Sequence, residues 1–169
     1  MSNPITYTLL DNSNAVLRSD GAVIPEDSAN IDWIEYQNWL SLGNTPTPVA
    51  LTDLQTKQIA ILTEAYQTAI SSTVGYTTTG GVTQTYQADP VSLGNLQDSM
   101  LALQKTAATP AGFYWVAADN TQVPFTYADL QGLATAIYMQ GWTAFQHLQT
   151  QKAAVRAATT AAAVQAVVW

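Results

Sequence analysis

The end of the chain is a long stretch without proline in which apolar residues recur every three or four positions. It begins at about Tyr127 and continues almost to Trp169, with Gly132 and Gly141 as its weakest points for a helix. This spacing predicts a single helix that spans on the order of 60 Å at 1.5 Å per residue, with a break near Gly141 as the alternative. Because such a helix would overhang a small domain, we expect its apolar seam to need a neighbour.

Two β-hairpins are predicted before this helix. Gly80-Gly81 joins two β-prone arms rich in Thr, and Asp119-Asn120 separates an aromatic strand from a second short strand. Each hairpin is followed by a helix start, although the two units are too dissimilar in sequence to be a true repeat.

Capping residues predict where three helices begin. Asp89-Pro90 places an N-cap before a proline at the first helical position, and Thr126 with Asp129 caps the last helix. Thr52 is predicted to cap another helix, with Gln55 completing a capping box, and this helix continues to about residue 72.

The first 44 residues predict a small β-meander followed by a helix. Turn-forming residues at 11–14 and at Asp20-Gly21 separate short runs of Thr, Tyr, Leu, Val and Ile. The helix that follows begins after a cap at residues 28–30 and stops at Gly43-Asn44. Pro46 and Pro48 then prevent helix continuation, so residues 45–51 are predicted to form a semi-rigid linker.

These patterns together predict an α+β fold in which helix exceeds strand. Residues 1–44 form an N-terminal adaptor of strands and one aromatic helix, and residues 45–51 form the linker. Residues 52–169 form a mainly helical domain with two β-hairpins and the long C-terminal helix.

The charge content restricts the partners of this chain. Only 10% of its residues are Asp, Glu, Lys or Arg, against about 25% in a usual domain, and the net charge is −7. The five basic residues are scattered, so nucleic acid is not an expected partner. No apolar run approaches a membrane span, and the start lacks the regions of a signal peptide. A surface of Gln, Thr, Ser and Asn suits burial in an assembly, with an ordinary acidic monomer as the alternative.

Residues suited to catalysis are few. The chain has no Cys and a single His, His147, so neither a thiolate metal site nor a Ser-His-Asp triad is expected. A glycosidase would need a carboxylate pair. The candidates for such a pair are Glu26, Asp27, Asp32, Glu35 and Glu64. The first four surround the start of a helix, where capping explains them more simply. We therefore expect no catalytic residue, no metal, no cofactor and no enzymatic activity.

Aromatic and apolar side chains are the remaining candidates for function. On helical geometry one apolar stripe of the adaptor helix consists of Trp33, Tyr36, Trp39 and Leu40. A second stripe lies on another face, so one small sheet cannot cover both, and we expect the first stripe to bind a partner or to hold the adaptor in place.

The uncharged stretch after Arg156 is the second candidate surface. We expect it to be an association element, either for a partner or for a homo-oligomer through the C-terminal helix. The residues expected to carry this association are Val164, Val167, Val168 and Trp169. The alternative is that this end of the chain folds back onto the chain itself.

Residues 20–48 resemble a recurring element of tailed-phage proteins encoded near tail-fibre genes. The element has a strand ending in Ile-Pro, an acidic turn, an aromatic helix and a Gly-Asn-x-Pro exit. The matching residues are Ile24, Pro25, Asp27, Asn30, Asp32, Trp33, Tyr36, Trp39, Leu40, Gly43, Asn44 and Pro46. The C-terminal half is similar to a domain of unknown function commonly joined to that element. The matching positions there are Trp115, Asp119, Asn120, Thr126, Leu130, His147 and Lys152.

This resemblance implies a virion-tail or fibre-assembly context and no known catalytic residues. We therefore expect a non-catalytic structural protein of the phage tail, assembled in the host cytoplasm and located in the virion. Its implied partners are tail-fibre or baseplate proteins. The family does not say whether the protein stays in the particle, so a fibre-assembly chaperone is the alternative. A polysaccharide-binding or depolymerase module is a third and more remote hypothesis.

Overall fold

A computed structural model describes residues 4–11 and 14–169 of the chain. The predicted α+β class is confirmed, because short antiparallel strands alternate with much longer helices. The chain divides into two compact units. The first contains the residues up to Gln58 together with Ala158–Ala166, and the second contains Ile59–Ala157 together with Val167–Trp169. None of the helices in the described ranges is both long enough and apolar enough to cross a membrane.

A three-stranded antiparallel sheet and one helix form the core of the first unit. The strands are β1 (Tyr7–Leu9), β2 (Val16–Arg18) and β3 (Val23–Ile24), in that order across the sheet. The predicted meander is therefore confirmed, although Asn12 and Ser13 of the turn predicted at 11–14 lie outside the described residues.

Helix α1 (Ile31–Ser41) follows the sheet and has both predicted ends. The Asn30 side chain caps it by accepting a hydrogen bond from the Asp32 amide at 2.9 Å. At its other end Gly43 adopts φ +85° and donates its amide proton to the Leu40 carbonyl. Glycine suits this left-handed position because it has no Cβ to clash with the preceding carbonyl.

The proline segment after α1 pairs with strand β1. The Thr47 amide donates to the Tyr7 carbonyl and the Leu9 amide donates to the Thr47 carbonyl, both at 2.8 Å. At Thr47 the segment predicted as a linker thus continues the hydrogen bonding of the first unit, with Pro46 and Pro48 on either side of the paired residue.

Helix α2 (Leu51–Ile70) begins two residues earlier than a cap at Thr52 predicted, and the predicted capping box is wrong. The amides of Asp53 and Leu54 donate to the Ala50 carbonyl, so Thr52 lies inside the first turn. The Gln55 side chain instead donates to the Ala158 carbonyl at 3.1 Å. This hydrogen bond joins two residues that are more than 100 positions apart in the chain.

The second unit contains both predicted hairpins and their helices. The first hairpin pairs β4 (Val74–Thr77) with β5 (Thr83–Tyr86), and Gly81 turns between them with φ +83°. Helix α3 (Pro90–Leu103) follows, capped by Asp89 as predicted. The second hairpin pairs β6 (Tyr114–Val116) with β7 (Gln122–Pro124) through the predicted Asp119-Asn120 turn.

Helix α4 (Tyr127–Ala157) is the long helix, but it ends earlier than the spacing predicted. Its 31 residues correspond to about 46 Å. A short helix α5 (Ala161–Gln165) follows, capped by the Thr160 side chain, which accepts from the Ala163 amide at 3.2 Å. The prediction of one helix almost to residue 169 is wrong because Thr160, in extended geometry, offers the chain a cap instead of continuation.

Candidate functional site

The aromatic stripe predicted to bind a partner is the core of the first unit. Tyr7 of β1 contacts both Tyr36 and Trp39, with ring centroids 4.9 and 5.0 Å apart. Tyr36 is buried, while Trp33, Trp39 and Leu40 are half-buried against the same cluster. These side chains therefore pack the helix on its own sheet, which is the internal role that we considered for them.

The other face of α1 stays uncovered. Ile31, Ile34 and Leu42 are exposed, and Val23 of β3 is exposed as well. Large apolar side chains gathered on one short helix are a surface that a partner can cover. The sequence pattern identified the two faces of this helix but not which of them the sheet would cover.

The second predicted association element folds back in part. Val164 is 1% exposed and Val167 is half-buried, whereas Val168 is 63% exposed. The Trp169 ring packs edge-on against His147, with centroids 4.8 Å apart, and the Gln151 side chain donates to the Val168 carbonyl at 2.9 Å. These contacts support the fold-back alternative for residues 167–169, and association through this segment stays a prediction.

We expect Val164→Ala to lower the free energy of unfolding by about 1.5 kcal/mol, because it deletes two buried methyl groups. Val168→Ala is the matched control and should change it by less than about 0.5 kcal/mol, since this side chain is exposed. Urea denaturation measures both variants.

Light scattering of Val168→Asp tests association: an unchanged oligomeric state would rule out a homo-oligomer built on this surface.

Three of the five candidate catalytic carboxylates have structural partners, namely Asp27, Asp32 and Glu35. Arg18 forms ion pairs with Asp20 at 3.0 Å and with Asp32 at 2.6 Å, and lies 3.7 Å from Glu35. Asp27 accepts from the Ala29 amide in the turn before α1. Within the described ranges no three acidic, His or Cys side chains are grouped as metal ligands. The geometry thus explains Asp27, Asp32 and Glu35 as turn-forming and ion-pairing residues.

An apolar groove in the second unit is another candidate site. Its volume is about 730 Å³, and the end of α2, helix α3 and the middle of α4 form its walls. Volumes of this size are typical of sites that bind small molecules. The lining includes the large apolar and aromatic residues Tyr66, Leu93, Met100, Tyr138, Trp142 and Phe145. Among the residues that the structure describes, no charged side chain lines the groove, so only an uncharged surface can fill it without leaving a buried charge unpaired.

Three aromatic side chains along α4 form the rim of this groove. Tyr138 is 67% exposed, and Trp142 and Phe145 stack on each other with centroids 5.8 Å apart while remaining exposed. Their spacing of four and then three residues places them on one helical face. The spacing of apolar residues marked this stretch as an apolar seam, but we predicted no functional role for Tyr138 or Trp142. The aromatic spacing itself was a signal that could have found them.

Gly141 opens the groove beside this aromatic rim. No heavy atom lies within 4 Å of the position that a Cβ at residue 141 would occupy, and the residue lines the groove. The weak point predicted for the helix is therefore a gap in its surface, and α4 continues through it without a break.

The start of α4 is anchored to the first hairpin of this unit by a buried carboxylate. Asp129 is 1% exposed. It accepts hydrogen bonds from the amide and hydroxyl of Thr126, from the amide and hydroxyl of Thr79, and from the Tyr76 hydroxyl. Burial raises the pKa of this carboxyl, but the hydrogen bonds from Thr126 and Thr79 together outweigh burial and hold it below its usual range. The predicted cap pair is confirmed, and it also fixes the hairpin on the helix.

Comparisons with known proteins assign a family to most of the chain. A family model described as "Domain of unknown function (DUF4376)" matches residues 53–168, which is more than two-thirds of the chain. No curated protein and no solved structure matches the chain.

Proposed function

This chain belongs to the DUF4376 family, a domain of unknown function, and from that premise we propose a non-catalytic structural role for it in a bacteriophage tail. It is held there by protein–protein contacts with tail-fibre or baseplate proteins. The resemblance of residues 20–48 to an element of tailed-phage proteins supports the tail context. The apolar groove of the second unit is the observation that supports docking.

The groove favours an amphipathic helix of the partner protein as its occupant. Tyr138, Trp142 and Phe145 extend over about 10 Å of α4, which is two turns of a helix. A partner helix can contact these three aromatic side chains with apolar residues of its own that are spaced three and four positions apart. Because the groove has no charged lining, the inserted face of that helix carries no charge.

The charge-poor composition supports the same role. A chain with 10% charged residues desolvates little ionic surface when its neighbours cover it. Exposed aromatic residues are also enriched among the side chains that dominate binding energy at interfaces. The low charge content and the exposed aromatic residues together favour a surface that other proteins cover in an assembly.

We expect Trp142→Ala to weaken binding to the partner fibre or baseplate protein by about tenfold or more, because a central aromatic anchor is lost. Gly141→Leu should abolish docking by filling the groove while leaving the fold intact, since its Cβ position is open. Leu101→Ala is the matched control, because Leu101 is an exposed apolar residue of α3 outside the groove. Titration against each purified tail protein measures the affinities. Binding of Gly141→Leu at wild-type strength would contradict the groove as the docking surface.

Mass spectrometry of purified particles tests the structural role itself. We expect the protein at a fixed stoichiometry in the tail. If it is absent from particles, and the fibre protein becomes insoluble without it, the chain is a fibre-assembly chaperone. Particles that lack it and assemble normally in its absence would overturn both roles.

A further inference from the structure

A second, smaller pocket in the same unit differs from the groove in its chemistry. Its volume is about 310 Å³, and it shares no lining residue with the groove. Amide and hydroxyl side chains line one side and aromatic residues line the other. The lining residues are Gln87, Ser92, Asn95, Tyr114, Trp115 and Val116. We propose that this pocket binds a neutral saccharide.

The polar wall is preorganised by the cap of α3. The Ser92 hydroxyl donates to Asp89 at 2.6 Å and also lies 3.4 Å from the Gln87 side-chain oxygen. Asp89 in turn accepts from the amides of Val91 and Ser92. The first amides of the helix are therefore already bound to a carboxylate, and an anionic ligand would meet a negative charge there. This arrangement selects an uncharged ligand.

Two side-chain amides of this wall are available to a ligand. Neither the Asn95 side-chain amide nor the Gln87 amide nitrogen makes a hydrogen bond within the described part of the chain. Asn95 lies three residues after Ser92 and so on the same face of α3. An amide offers donors and an acceptor side by side, which suits the paired hydroxyl groups of a sugar ring.

The aromatic wall supplies the complementary apolar contact. Tyr114 is 47% exposed, while Trp115 is half-buried and packs against Phe125 with centroids 6.4 Å apart. Pairing of β6 with β7 fixes the backbone of both residues. Because successive strand residues point to opposite faces, we assign the ring contact with the ligand to the exposed Tyr114. The negative face of an aromatic ring attracts polarised C–H groups, and a neutral hexose presents such groups on one face and hydroxyls at its edge. An acidic sugar presents the same C–H groups and hydroxyls, so discrimination against it comes from the Asp89 carboxylate that contacts Ser92.

The test is binding of the full chain to an array of neutral and acidic oligosaccharides, followed by NMR titration with the best monosaccharide. We expect a neutral saccharide to bind and to shift the Trp115 indole resonance. Asn95→Ala and Tyr114→Ala alter exposed side chains, and each should weaken binding about tenfold. Tyr138→Ala in the groove is the matched control and should bind the sugar like wild type.

Several outcomes would overturn the saccharide assignment. These are binding of acidic sugars only, binding of peptides but no sugar at this pocket, no neutral ligand on the array, or sugar binding that survives both pocket substitutions. Loss of partner docking in Gly141→Leu with sugar binding retained would show that the two sites act independently.

Discussion

Asp129→Asn is expected to lower the free energy of unfolding by about 3 kcal/mol at neutral pH. Each carboxylate oxygen accepts one backbone amide, from Thr79 at 2.6 Å and from Thr126 at 2.8 Å. Either orientation of an asparagine amide would place its NH₂ group against one of these N–H donors. A buried donor would then lose its acceptor, and charge-assisted hydrogen bonds would become neutral ones.

The measurement is urea denaturation of wild type and variant, with Asp98→Asn as control. Asp98 is an exposed carboxylate of α3, so this substitution should change the free energy of unfolding by less than about 0.5 kcal/mol. Equal stability of Asp129→Asn and wild type would mean that the buried carboxylate does not hold the first hairpin on α4.

The difference in the free energy of unfolding between wild type and Asp129→Asn should depend on pH, because the pKa of Asp129 is lowered in the folded protein. An unperturbed aspartate carboxyl has a pKa of 3.8, and the pKa of Asp129 is lower than this in the folded protein. The contribution of the ionised Asp129 carboxylate to the free energy of unfolding is therefore complete above about pH 4. It is lost as the pH falls below 3.8 and through the pKa of Asp129 in the folded protein. The difference between wild type and Asp129→Asn should stay constant from pH 7 to about pH 4 and shrink at lower pH. A difference that grows on acidification would contradict the assigned direction.

Gly132→Ala is expected to destabilise the second unit by about 2 to 3 kcal/mol, although alanine is the better helix former. A Cβ at this position would lie 2.2 Å from the Tyr76 hydroxyl and 2.7 Å from two of its ring atoms. The Tyr76 ring also packs near Tyr86 and Phe125, so it has to move as a whole. Overpacking of this kind typically costs 1 to 3 kcal/mol, and the hydrogen bond to Asp129 would be lost as well.

Gly94→Ala in α3 is the control, because nothing lies within 4 Å of its Cβ position. It should stabilise the protein by about 0.5 to 1 kcal/mol. A double-mutant cycle isolates the clash: in a Tyr76→Ala background, Gly132→Ala should become neutral or stabilising. If Gly132→Ala costs the same in both backgrounds, the contact with Tyr76 is not the cause.

Gly132 and Gly141 show why neighbouring structure decides what a helical glycine does. Both were predicted only as weak points of one long helix. In the folded protein the absence of a side chain at Gly132 allows the Tyr76 ring to pack closely against the helix, whereas Gly141 faces open space in the groove. The sequence contains no local signal that separates them, because the difference depends on a hairpin about 55 residues earlier in the chain.

Local chemistry in the sequence determined the elements of this protein. The N-caps at Asn30, Asp89 and Thr126, the turns at Gly80-Gly81 and Asp119-Asn120, and the exit at Gly43 are all present as predicted. Each depends on atoms within a few residues, so the backbone preferences of those residues alone are sufficient.

Tertiary structure alone decided which surfaces remain free. The helix α1 has apolar side chains on two faces. Packing against Tyr7 buried the face that carries Trp33, Tyr36 and Trp39, and it left Ile31 and Ile34 on the other face exposed. Tertiary structure also decided that α4 ends at Ala157. Packing among α2, α3 and α4 forms the groove and places Trp142 at its rim. Burial is a property of packing between distant segments, and helical periodicity shows that a face is apolar without showing what will cover it.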